Sequence, residues 1–404
     1  MNNSIIYHLS ALRKVDATLL DVQVPVQNLR YPRETMRGVL LIFALLSALA
    51  AAQQANPDQL LNSAIEAQQR GDFQTAIHEY RQFLELRPHM IEAQVNLGAA
   101  LVHVGQFDAA IAEYRSALAS APAEKIPILL NLGLAYYKKG DFENARQQFE
   151  PVHSAEPTNV RVAILLGDTD VRLGKYAAAV TMLEPLEDKN AENLDFEYVL
   201  GSALIKAGQR REGVLKIETV AKSGHSADAY MLAGSTLLDL NEYEQARSDL
   251  DAALTLNPKL PGLYSLAGTA RDKTGNVKDA EAAFREALKM NRDDFTANLY
   301  LGAILEKRRD LDEAKTYLER ALQLNPSSSM AGYEVAMLKS TSGEYDAAVQ
   351  GLEKVVQEDP NWLEPHVELA SLYYKLHRPA DGARERQLVE KLTAQQQAQG
   401  LGTR

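Results

Sequence analysis

Apolar and polar positions alternate along most of the chain with a helical period, and the stretch from Ile126 to Asn159 shows the pattern most clearly. Ile128, Leu129, Leu132, Ala135 and Tyr136 fall three or four residues apart, which predicts an amphipathic helix with one buried face. Asp141 and Phe142 make a turn, and a second amphipathic stretch runs on until Pro157 closes it. The unit is therefore a helical hairpin.

That hairpin recurs. Gly98, Gly133, Gly167, Gly201, Gly234, Gly268 and Gly302 follow one another at separations of 35, 34, 34, 33, 34 and 34 residues, and Ala64, Ala336 and Ala370 extend the period at both ends. A repeat of this length predicts a solenoid, in which each unit buries its apolar face only by stacking on its neighbours. Within the unit, Gly133 is followed by Tyr136, by Ala145 and by Phe149. The small residues let two helix backbones approach while Leu132, Tyr136 and Phe149 fill the space beside them. The same alternation returns as Leu97, Gly98, Ala110, Tyr114 and Pro122, as Gly268, Ala280 and Phe284, and as Leu301, Gly302, Ala314, Leu318 and Pro326.

With these residues the chain resembles the tetratricopeptide repeat family over roughly residues 57 to 396, in ten units starting near 57, 91, 126, 160, 194, 227, 261, 295, 329 and 363. The resemblance implies an all-α fold, a right-handed α-solenoid of stacked helical hairpins, with a concave groove lined by the first helix of each pair. It also implies an interaction scaffold rather than an enzyme. Repeat five departs from the pattern: Gly213 replaces the alanine, the unit is one residue short, and no proline closes it near Gly224. Because glycine in a helix interior costs about 1 kcal/mol relative to alanine, this repeat is expected to be the weakest joint. The tenth unit has a charged second helix, as a terminal repeat requires, and residues 397–404 read as a disordered tail.

Residues 36–52, MRGVLLIFALLSALAAA, have the layout of a secretory signal: one Arg, an apolar run from Val39, and Ala50 and Ala52 as a cleavage site. The run falls short of the roughly 20 residues that span a membrane. Export with cleavage near Ala52 is the expectation, which places the protein in the periplasm or cell envelope with no stable membrane insertion afterwards. The alternative is an anchor through residues 37–52, with Arg30, Arg33 and Arg37 on the cytoplasmic side. Residues 1–35 carry no repeat pattern and read as an unstructured leader or as sequence ahead of a true start at Met36.

Composition narrows the function. Cysteine is absent, which removes disulfides, thiolate metal sites and thiol nucleophiles. Beyond residue 56 there are 38 basic and 51 acidic residues, a net charge of −13 that would repel a phosphate backbone, so nucleic acid is not expected as a partner. The eight histidines form no metalloprotease pair and mostly fall at surface-type positions, and neither a phosphate loop nor a nucleophile elbow occurs. No catalytic residue, metal or cofactor is expected.

The groove residues lie three before and one after each small position: Val95 and Ala99, Leu130 and Leu134, Ile164 and Asp168, Tyr198 and Ser202, Met231 and Ser235. They are apolar with a few polar points and lack the Lys and Asn with which relatives clamp a chaperone's terminal carboxylate. An amphipathic helix or extended segment of a partner protein is the expected occupant, with Tyr137 and Tyr198 as aromatic anchors. Five residues beyond the small position, Lys138, Arg172, Lys206, Lys273, Lys307 and Lys375 form a basic stripe. It suits an acidic peptide or a carboxylate, and equally suits the negative end of each helix dipole. The function that emerges is an exported, non-enzymatic scaffold or adaptor for a protein or peptide segment. Alternatives are an accessory subunit of an envelope enzyme or polysaccharide assembly machine, and a glycan-binding module.

Overall fold

The structure, a computed structural model, describes residues 56–120 and 125–398. The signal-like segment 36–52 and the leader 1–35 lie outside the described residues. Among the described residues every regular element is helical: twenty α-helices, arranged as consecutive hairpins within each unit, and one 3₁₀ helix. The chain divides after Ala191 into two compact units.

The first unit holds α1 (Pro57–Gln69), α2 (Phe73–Leu86), α3 (Ile91–His103), α4 (Phe107–Ser120), α5 (Lys125–Lys139), α6 (Phe142–Ala155), α7 (Val160–Arg172) and α8 (Tyr176–Leu183). The second holds α9 (Leu194–Ala207), α10 (Arg210–Gly224), α11 (Ala227–Asp239), α12 (Tyr243–Leu256), α13 (Leu263–Lys273), α14 (Val277–Met290), α15 (Phe295–Lys307), α16 (Leu311–Leu324), α17 (Ser329–Thr341), α18 (Tyr345–Glu358), α19 (Leu363–Lys375) and α20 (Pro379–Ala398). Odd-numbered helices are the first of each hairpin, even-numbered the second.

Local chemistry sets the helix ends. Asn159, Asn193, Ser226, Asp294 and Ser328 cap first helices by accepting backbone N–H groups with their side chains, and Asp72 and Asp141 do the same for α2 and α6. Each first helix ends in a residue with positive φ seven places after the small position. Glycine fills it in seven repeats, Asn241, Arg309 and His377 in the others.

The small positions do what their spacing predicts. A Cβ built on Gly133 would lie 2.5 Å from Cε1 of Phe149, and on Gly98 2.6 Å from Cε1 of Tyr114. Gly234, Gly268 and Gly302 face Leu250, Phe284 and Leu318 in the same way, each sixteen residues on. The first unit's core is built on Tyr80, Phe83, Leu97, Tyr114, Leu132 and Phe149, all buried. The second unit stacks equivalent groups around Ile217 and Leu250, around Phe284 and Leu318, and around Leu352 and Leu369.

Two details bear on repeats four and five. Gly213 sits at a close helix contact: a Cβ there would lie 2.6 Å from the carbonyl oxygen of Gly201 and 2.8 Å from the backbone nitrogen of Ile205. The two backbones touch, so glycine is what the contact requires. The irregularity lies one repeat earlier. Helix α8 is only eight residues long and gives way to a 3₁₀ helix, Glu184–Lys189, because Pro185 has no N–H to continue the α-helical ladder. At the far end α20 continues to Ala398.

Candidate binding face on the first helices

In the first unit Val95, Ala99, Leu130, Leu134, Ile164 and Asp168 are all half-buried, whereas the helical neighbours Leu97, Gly98, Leu132, Gly133, Leu166 and Gly167 are buried. Each first helix therefore keeps one partly open stripe beside its packed one. Within the second unit Tyr198, Ser202, Met231 and Ser235 are likewise half-buried, and Tyr198 packs against the core around Ile217.

The structure joins three of the predicted site residues into one cluster. The Tyr137 hydroxyl donates to a carboxylate oxygen of Asp168, and Nε–H of Arg172 donates to the same Asp168 oxygen at 2.6 Å and to the Tyr137 oxygen at 3.0 Å. The guanidinium also lies 5.3 Å from the Tyr137 ring centroid and 5.2 Å from that of Phe142. Burial, followed by the Asp168 charge, holds the Tyr137 phenol above its ordinary range. The cluster ties α5 to α7, and Arg172 spends its charge inside the protein. Lys138 and Lys206 are exposed and have no hydrogen-bond or ion-pair partner among the described residues.

The basic stripe has a packing partner that its own spacing does not show. Arg172 lies over Phe142, Lys375 lies 5.2 Å from the Tyr345 ring centroid, and His103 stacks on Phe73 at 4.2 Å. In each pair the aromatic opens the second helix of one repeat and its partner closes the first helix of the next, thirty residues later. Tyr243 and Lys273, with the same spacing, line one shallow hollow. Cation–aromatic contacts of this kind contribute about 0.5–1 kcal/mol where exposed. The signal was in the sequence as a thirty-residue aromatic-to-cation offset.

A second feature escaped the sequence reading. On the first helices of repeats seven to nine, Glu334 is pushed up to about 7, by burial first and then by the charges of Glu306 and Asp272 against the opposing effect of Lys307. Glu306 is only 7 % exposed and accepts the Thr341 hydroxyl. Tyr333 is raised to about 12 by burial and then by Glu368, Glu334, Glu364 and Glu306. Acidic residues two before and four after the small position would have marked this set.

The histidines need one correction: His366 is buried. Its Nδ1 is 2.7 Å from a Glu385 oxygen and its Nε2 3.1 Å from the Pro360 carbonyl, so it clasps α19 to α20. Glu281 and Glu313 share Arg285, and Glu281 also pairs with Arg308 at 2.7 Å. Among the described residues no three His, Asp or Glu side chains are grouped to hold a metal ion, and no helix is long and apolar enough to cross a membrane.

Comparison with known proteins agrees with this architecture. Three sequence models, each described as a tetratricopeptide repeat, match residues 61–125 and 266–329, residues 136–199, and residues 227–260, together more than half of the chain. The BBSome complex member BBS4 of Bos taurus is 25% identical over 238 residues, 58% of this chain and 45% of that protein. The protein CTR9 homolog of Arabidopsis thaliana is 27% identical over 103 residues, 26% of this chain and 9% of that one. The chain thus spans less than half the length of the curated relatives it matches. Among solved structures, a chain of the APC/C hetero-tetramer Cut9-Hcn1 aligns with 12% identity and a TM-score of 0.49, over 88% of this chain and 96% of that one. With its repeat models, its ten small positions and its consecutive hairpins, the chain belongs to the tetratricopeptide repeat family.

Proposed function

We propose that the protein is a non-enzymatic scaffold or adaptor, exported to the periplasm or cell envelope, that holds a segment of a partner protein on the partly open stripes of its first helices. Tetratricopeptide repeat proteins generally mediate protein–protein interaction and are typically non-enzymatic. The observation that carries the reading is the recurrence of half-buried apolar side chains at one register, Val95, Leu130 and Ile164 in the first unit and Tyr198 and Met231 in the second, beside a fully packed register in each. Each such stripe buries its remaining apolar area against an amphipathic or extended segment. Export rests on the signal-like layout of residues 36–52.

The test is crosslinked capture from the envelope fraction of the native cell with the full-length protein, repeated with Ile164→Glu and Tyr198→Ala. Expected is a partner protein held by the wild type and lost from both variants at unchanged helical circular dichroism, with the protein itself fractionating outside the cytoplasm. Equal capture by the variants would remove the first-helix stripes from the function, and a cytoplasmic protein would remove export.

A further inference from the structure

The two most exposed apolar side chains on the last first helices are Met330 of α17, at 44% exposure, and Val367 of α19, at 45%. Val367 and Tyr333 occupy the register three before the small position, the one that carries Val95, Leu130 and Ile164 elsewhere. Here the apolar stripe is bordered by acid. Glu334 and Glu368 lie two before the small positions of their repeats, Glu364 opens α19, and Glu306 and Asp272 end α15 and α13. Glu334, Glu364 and Glu368 have no hydrogen-bond or ion-pair partner among the described residues.

Cations that could neutralise the set from within are mostly committed or missing. Lys375 rests on the Tyr345 ring. Repeats six and nine carry Asp239 and Thr341 where the basic stripe would place a cation. Lys307 opposes the rise at Glu334, and the main causes that raise Tyr333 are burial and then the charges of Glu368, Glu334, Glu364 and Glu306. Like charges near one another, as at the half-buried Glu334 and Glu368, are destabilising until an opposite charge joins them.

We propose that the first-helix face of the second unit, from α13 to α19, takes a basic amphipathic segment of a partner protein, with its Lys or Arg side chains on Glu334, Glu364 and Glu368 and its apolar side on Met330 and Val367. The proposal rests on the reading of the first-helix stripes as the binding surface and fixes the sign of the partner for this unit, opposite to the acidic peptide that the basic stripe suggests. An acidic segment meets unneutralised carboxylates here. A basic one supplies the charge that the face lacks.

The overall negative charge would attract any cationic peptide, so the experiment must separate place from bulk charge. The probe is an amphipathic peptide of leucine and lysine, about 18 residues or five helical turns long, set against its leucine–glutamate counterpart. Binding to the full-length protein is read by fluorescence anisotropy at about 0.15 M salt, where the screening length is about 8 Å. Expected is binding of the lysine peptide alone, weakened about tenfold or more, about 1.4 kcal/mol, by Glu334→Gln with Glu364→Gln and Glu368→Gln, and weakened also by Val367→Asp. The control Glu212→Gln with Asp312→Asn and Glu319→Gln removes the same number of carboxylates from exposed second-helix positions and is expected to leave binding within about twofold, about 0.4 kcal/mol. Equal weakening by both triple variants, equal binding of the glutamate peptide, or binding of neither peptide overturns the proposal. If neither peptide binds while Ile164→Glu still abolishes partner capture, the basic-segment inference falls and the binding face stands. If capture also survives that variant, both fall.

Discussion

Gly133→Ala adds one methyl group to a helix interior, and in most helices that stabilises by about 0.8–1 kcal/mol. Here the new Cβ would lie 2.5 Å from Cε1 and 2.7 Å from Cδ1 of Phe149, about 1 Å inside ordinary carbon contact distance. Phe149 is fully buried, so its ring cannot swing out of the way. Overpacking of this kind costs about 1–3 kcal/mol, and after the propensity gain the net expectation is a loss of about 0.5–2 kcal/mol. The background Phe149→Ala, itself costing about 3–5 kcal/mol, supplies the control: with the ring gone, Gly133→Ala should return to a gain of up to about 1 kcal/mol. The coupling between the two sites is therefore about 1–3 kcal/mol. Urea denaturation followed by circular dichroism gives the totals. Hydrogen exchange in α5 and α6 localises the effect, since repeat arrays need not unfold as one unit. A stabilising Gly133→Ala in the wild-type background, or a coupling within about 0.5 kcal/mol of zero, would refute the assignment of the small positions to helix contact.

Three further outcomes are expected. Asp249 is buried with one carboxylate oxygen that has no hydrogen-bond partner, and burial followed by the Glu218 charge raises it from 3.8 to about 6. The unfolded chain thus releases this proton before the folded one, stability falls as pH rises from about 4 to about 6, and Asp249→Asn should add up to about 3 kcal/mol at pH 7 and flatten that slope in thermal melts. Arg309 holds a φ of 67°, where its fellow repeats mostly place glycine, and it is exposed. Arg309→Gly should therefore stabilise by about 0.5–1 kcal/mol in urea, and a loss would mean that the side chain contributes to the turn. Arg172→Gln removes the donor shared by Asp168 and Tyr137 and the charge over Phe142. A loss of about 1–2 kcal/mol is expected, with faster amide exchange in α7 than in α3.

The fold was legible because its determinants are local. A glycine or alanine every 34 residues, an aromatic or leucine sixteen places later and a capping Asn, Asp or Ser before a first helix each act within one hairpin. What escaped depends on how hairpins stack. Tyr137 meets Asp168 31 residues on, and Phe142 meets Arg172 thirty on, across a boundary between repeats whose register no single unit contains. Gly213 shows the converse. Propensity assigns it a cost, but only the position of the Gly201 carbonyl shows that any side chain there would cost more. Pro185 was visible throughout, and its shortening of α8 follows from a missing N–H that a period count does not weigh.

Separating packing from binding in such an array comes down to asking which chemistry the neighbouring repeat already satisfies. Arg172 and Lys375 occupy the same register as Lys138, Lys206, Lys273 and Lys307, yet the first two are held by Phe142 and Tyr345 and so account for themselves as joints between hairpins. The same subtraction leaves the carboxylates standing. Glu281 and Glu313 are held by Arg285, Glu281 also by Arg308, and Glu385 meets His366, whereas Glu334, Glu364 and Glu368 have no hydrogen-bond or ion-pair partner among the described residues. Charge left unpaired at the half-buried Glu334 and Glu368 carries a desolvation cost with no internal return. In a family that mediates protein–protein interaction, that unmatched charge is what the proposed basic segment answers.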